Sequence, residues 1–108
     1  MRKVILIALV AASACGGDRA IEREAQDAVS HELRDPSSAQ FRDVKVYPKA
    51  VCGEINGKNG VGAYAGFTRF WYERDTKQYR YDPKLYDGDE IDRTNQRIFE
   101  SEIDRLCE

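Results

Sequence analysis

This sequence of 108 residues predicts a single α+β domain, with an antiparallel sheet of three or four strands packed by an N-terminal and a C-terminal helix. Three observations predict it. Apolar residues recur at helical spacing at both ends, as Ile21, Ala25, Ala28, Val29 and Leu33, then as Ile98, Phe99, Ile103 and Leu106. Between them lie short alternating stretches punctuated by Pro, Gly and Asn. The length allows one domain at most. The centre is Val51 to Trp71, which holds five of the eight glycines and leads into Phe67, Phe70, Trp71 and Tyr72.

The first fourteen residues read as an export signal. Arg2 and Lys3 form a positive start, residues 4–12 are apolar, and Ala12-Ser13-Ala14 precede Cys15. A core of nine apolar residues is short of the about 20 needed to cross a bilayer. Ala-x-Ala suits the general signal peptidase, which would leave a free Cys15 and a soluble periplasmic or secreted protein. Small residues before cysteine also resemble the lipobox of bacterial lipoproteins, with Ala12 where leucine is usual. On that reading Cys15 is acylated, as by palmitate, and Gly16-Gly17 is a short tether. Gly16 is not the Asp that retains lipoproteins in the inner membrane, so the expected address is the outer membrane, facing the periplasm. The domain then occupies 18–108.

The elements follow in order. Asp18 can cap a first helix running to about Arg34. Asp35-Pro36-Ser37-Ser38 ends it, because proline disfavours helical geometry at Asp35 and a serine hydroxyl can close a turn. Phe41 is expected as a core anchor. Arg42 to Tyr47 alternates, with Val44 and Val46 on one face, until Pro48 breaks the strand. Ala50 to Asn56 is the second strand and residues 56–60 a turn tolerant of positive φ. Gly62 to Glu73 is the third strand, with Tyr64, Thr68, Phe70 and Tyr72 on one face and Ala63, Ala65, Phe67 and Trp71 on the other. Gln78 to Asp82 is a short fourth strand. Asp89 or Asp92 caps a last helix running to about Cys107.

Three cysteines are an odd number for an oxidising compartment. With Cys15 acylated, Cys52 and Cys107 are left to pair. Closing that loop stabilises by about 4 kcal/mol in the chain-entropy treatment.

Little in the chain points to chemistry. His31 reads as a surface residue, Glu102 as paired or at a rim, and Glu100 and Asp104 as solvated carboxylates. The run from Gly60 to Gly66 lacks the strand-before, helix-after context of a phosphate loop and reads as strand glycines. One histidine and no Cys-x-x-Cys argue against a metal site, no cofactor is implied, and no catalytic residues are expected. Charges are mixed, with a net −2, so no basic footprint for nucleic acid appears.

Leu33 to Val44 carries LxDPxSAxFxxV, and Val51 to Phe70 carries VCGxxNxKNxxGxYxGFxxF. Together they resemble a family of small uncharacterised envelope proteins and lipoproteins of Gram-negative bacteria. The resemblance covers roughly Ala28 to Trp71, implies envelope placement and an α+β outline, and brings no activity with it. The resulting expectation is a non-catalytic envelope lipoprotein that binds another envelope protein or a cell-wall component. Tyr64, Phe70, Tyr72, Tyr79 and Tyr81 are the candidate contact residues, because interfaces favour such rings as anchors. The competing reading is an inhibitor or immunity protein whose acidic surface blocks a toxin or cell-wall hydrolase.

Overall fold

Each half of the sheet's apolar pattern finds a helix to cover it, one on either side. The computed structural model describes residues 18–58, 66–83 and 90–108. In it, helix α1 (18–30) is followed by a single 3₁₀ turn (Pro36–Ser38), then β1 (Gln40–Val46), β2 (Ala50–Asn56), β3 (Thr68–Glu73), β4 (Tyr79–Tyr81) and helix α2 (Glu90–Leu106). The four strands form one antiparallel sheet in the order β1-β2-β3-β4. The export segment, Cys15 and its tether, the glycine run up to Ala65 and the Asp89 cap lie outside the described residues. Among those described, no helix is long and apolar enough to cross a membrane.

α1 ends earlier than its apolar stripe implies. After residue 30 the chain tightens into turns, with His31 N–H donating to the Ala28 carbonyl and Leu33 N–H to that of Ser30. Leu33 still packs on the core, carried there by the turn rather than by helix. Asp18, expected as the cap, is itself helical. Asp35 is extended (φ −128°), as a residue before proline must be. Both serines then use it: Ser37 Oγ donates to Asp35 Oδ1 and Ser38 Oγ to the Asp35 carbonyl, each at 2.6 Å.

Two cores result. Beneath α1, Ala25 and Val29 pack on Val51, Ile55, Phe70 and Tyr72, with Phe41, Val44 and Val46 at the margin. Beneath α2, Phe99 and Leu106 pack on Ala50, Cys52 and Trp71. β2 is therefore covered on both sides, as is β3. On α2 the buried stripe is Phe99, Ile103 and Leu106. Ile98, expected in it, is 43 % exposed because it lies about 100° around the helix from Phe99.

β1 holds a feature that simple alternation misses. Arg42 faces Glu54 and Lys45 faces Cys52, so Asp43 and Val44 together oppose Gly53. This is a β-bulge, and Asp43 takes a positive φ of 53° to form it. The extra residue flips the parity, so odd-numbered Phe41 and even-numbered Val44 and Val46 all face α1. Gly53 makes room: a Cβ there would lie 2.9 Å from Val44 Cγ2 and 3.0 Å from Val44 Cα. The second contact is backbone and cannot rotate away. Gly53→Ala is accordingly expected to destabilise by about 1–3 kcal/mol. A urea midpoint equal to the parent's would show instead that the bulge relaxes.

Opposite charges form a row straight across the sheet on the α2 side. Arg42 pairs with Glu54 at 2.8 Å, Glu54 faces Arg69, and Arg69 pairs with buried Asp82 at 2.8 Å and also with Glu100 of α2. Arg42 also lies 4.0 Å over the Phe67 ring. A slip of one residue would break every pair in the row, so it pins the register. Arg42 and Arg69 hold the carboxyls of Glu54 and Glu100 below the usual carboxylate range.

Cys52 and Cys107 have their Cα atoms 6.1 Å apart and their sulfurs at bonding distance, joining β2 to the end of α2. That separation lies within the range a disulfide spans.

Candidate functional site

The aromatic face expected to meet a partner is covered by the chain's own first helix. Phe70 and Tyr72 are 0 % and 2 % exposed, so neither offers a ring to another molecule. The reason is the pattern itself: Tyr72, Tyr79 and Tyr81 each reach α1 or the turn that follows it. Tyr72 donates to Glu24 at 2.6 Å, Tyr79 to Glu32 at 2.9 Å, and Tyr81 to the Val29 carbonyl. These rings are apolar bodies that fill the core and polar tips that fasten the helix. Tyr64 lies outside the described residues.

Tyr79 and Tyr81 keep a second role. Their rings stand edge to face, 6.0 Å apart, and both line a cleft of about 840 Å³ at the β4 side of the sheet. Leu33, Ile55, Thr68 and Pro83 supply other walls. Gly66, at φ 104°, stands at its edge, where its N–H donates to the Asn56 side chain at 3.0 Å. Only glycine adopts that φ without strain.

The cleft's polar groups are largely committed. Asp82 receives both Nε and Nη2 of Arg69, at 3.0 and 2.8 Å. Arg80 Nε lies 3.3 Å from Glu102 Oε1, within ion-pair reach but off hydrogen-bond alignment. Of the two places the sequence allows Glu102, paired or at a rim, the structure gives the first, with its Oε1 buried. Trp71, also part of the lining, has a buried indole N–H with no hydrogen-bond partner among the described residues. His31 is exposed. Among the described residues, no three His, Cys, Asp or Glu side chains gather where they could hold a metal ion.

Burial drives the titration of the tyrosines. It pushes the Tyr72 hydroxyl up to about 12, helped by the bond to Glu24, and it raises Tyr79 and Tyr81 as well. An acid that ionises later when folded stabilises the fold fully below its unfolded value and loses that contribution above it. Stability is therefore expected to hold up to the ordinary tyrosine value of 10.0 and to fall as pH rises toward 12. Tyr72→Phe should flatten that alkaline limb in a series of urea midpoints. An unchanged limb would mean that Tyr72 does not carry the effect.

Leu33, Arg80 and Asp82 escaped the sequence reading because nothing local marks them. Leu33 appears there only as a helix stripe residue, and Arg80 and Asp82 gain their positions from the β3–β4 register. When the chain is compared with known proteins, no family model, no curated protein and no solved structure matches it.

Proposed function

We propose that this chain is a non-catalytic lipoprotein of the outer membrane, facing the periplasm, that binds another envelope component through the cleft beside Tyr79 and Tyr81. The cleft carries this reading. It is roomy, partly aromatic and open, and Asp82, Tyr79 and Tyr81 in its lining are engaged in structural bonds rather than held ready for proton transfer. Pockets of this mixed kind are the usual places where ligands sit.

The envelope address rests on separate support. A positive, then apolar, then small-residue segment ends at Cys15. With Cys52 and Cys107 at bonding distance, Cys15 is the cysteine available for acylation. The resemblance of the two central motifs to small Gram-negative envelope proteins points the same way.

Two measurements test the reading. The intact mass of the protein from its native envelope should start at Cys15, carry acyl chains and rise by two hydrogens on reduction, as for one disulfide (about 2 Da). An unmodified Cys15 would remove the anchor. Separately, a photo-crosslinking side chain replacing exposed Gln78, at the cleft, should capture an envelope component in cells. Capture equal to that from a control site on the outer face of α2, such as Arg97, would remove the cleft.

A further inference from the structure

The geometry points to β4, an edge that no other strand among the described residues pairs with, as the place that takes an extended peptide as a further, antiparallel strand, with side chains alternating apolar, acidic, apolar. This deepens the proposed binding function and rests on it: it names the chemistry of the partner.

The direction of the β4 backbone follows from its register. Asp82 N–H donates to the Arg69 carbonyl at 2.8 Å, and Glu73 N–H to the Gln78 carbonyl at 2.8 Å. In an antiparallel pair, the residues that exchange bonds alternate with residues whose N–H and C=O both point away. Residues 78, 80 and 82 therefore turn toward β3, and Tyr79 and Tyr81 turn their backbone groups outward. β4 is the last strand of the sheet, so among the described residues no strand meets those groups. The result is two donor–acceptor pairs on one line, about 6.8 Å apart. An extended polypeptide reproduces that spacing with its own N–H and C=O groups and can satisfy all four.

The opposite edge is a poorer template. β1 is broken by its bulge at Asp43 and carries exposed Arg42 and Lys45, devices that discourage pairing.

Side-chain parity sets the preferred sequence. Residues paired with Tyr79 and Tyr81 would share their face, beside the two rings and Leu33, so apolar groups suit them. The residue between would stand beside Arg80, on the α2 side. Arg80 is half exposed, and among the described residues its Nη groups have no hydrogen-bond partner while its Nε faces Glu102. A carboxylate there gains a guanidinium. β4 has three residues, so the addition is short and the complex is expected to be weak and readily reversed.

The test uses the full chain purified from the envelope and a capped peptide, Lys-Thr-Val-Glu-Val-Thr-Lys. The expected results are amide shifts and slowed hydrogen exchange at Tyr79 and Tyr81. N-methylation of the two valines, whose N–H groups face β4, should weaken binding at least tenfold, while N-methylation of the central Glu, whose N–H faces away, should not. Arg80→Glu should reverse the preference in favour of a peptide with central Lys, in a protein whose circular dichroism is unchanged. Equal binding of both methylated peptides, or no protection at Tyr79 and Tyr81, overturns the inference. Protection that grows with protein concentration and no peptide would assign the edge to a second copy of this chain and overturn it too. If the peptide fails while the cleft crosslink still captures an envelope component, the strand-edge inference falls and the binding function stands. If both fail, the binding function falls with it.

Discussion

Replacing Cys52 and Cys107 with serine is expected to cost the fold about 4 kcal/mol, because the bridge removes the closure entropy of a long loop from the unfolded chain. The two cysteines are 55 positions apart in the chain, with most of the sheet between them. Small domains have total stabilities of about 5–15 kcal/mol, so the variant should sit near the edge of folding. The location adds to the effect. α2 is held by Phe99, Ile103 and Leu106 over Ala50, Cys52 and Trp71, and the bridge lies at the end of that patch. The check is urea unfolding of the parent with and without reductant, beside the double serine variant. Reductant should lower the midpoint of the parent to that of the variant. A midpoint insensitive to reductant would show that packing alone docks α2.

Phe70→Ala is expected to be nearly as damaging, at about 3–5 kcal/mol, the usual cost of emptying a buried aromatic site. Phe70 is 0 % exposed, faces Gly53 and Tyr81 across its two neighbours, and meets the Phe41 ring edge-on at 5.9 Å. It touches the bulge as well, since its Cε1 would lie 3.3 Å from a Cβ at Gly53. Removing the ring opens a void that β1, β2 and β3 all border. Loss of the cooperative transition, or a lowered midpoint with loss of near-ultraviolet dichroism, is the expected result. A variant that folds like the parent would mean that Phe41 collapses into the space. The variant also separates two roles that the sequence does not distinguish, because a core ring fails in folding before it can fail in binding.

That ambiguity is why the sequence offers Phe70 and Tyr72 as contact residues although both are buried. A run in which Phe70, Tyr72, Tyr79 and Tyr81 share a side records only that the side is apolar with polar tips. An interface and a helix-docking surface need the same composition. The deciding partners, Glu24, Val29 and Glu32, lie 47 to 52 positions earlier in the chain. Glu24 and Glu32 look like ordinary solvated helix residues there.

The elements themselves were written locally. The stripes of α1 and α2 and the Asp-Pro-Ser-Ser turn follow from residues close in sequence, and the Cys52–Cys107 pairing from a count of three cysteines together with the expectation that Cys15 is acylated. Helical and strand periodicities are properties of neighbouring side chains, so the chain records them directly. The bulge at Asp43, the charge row from Arg42 to Asp82, the helix that claims the tyrosines and the outward backbone of Tyr79 and Tyr81 belong to the tertiary structure. Each depends on strand register, and one inserted residue reverses which face a side chain takes. Register is set by the sum of contacts between distant strands. No stretch of the sequence contains that sum, and only the packed sheet decides it.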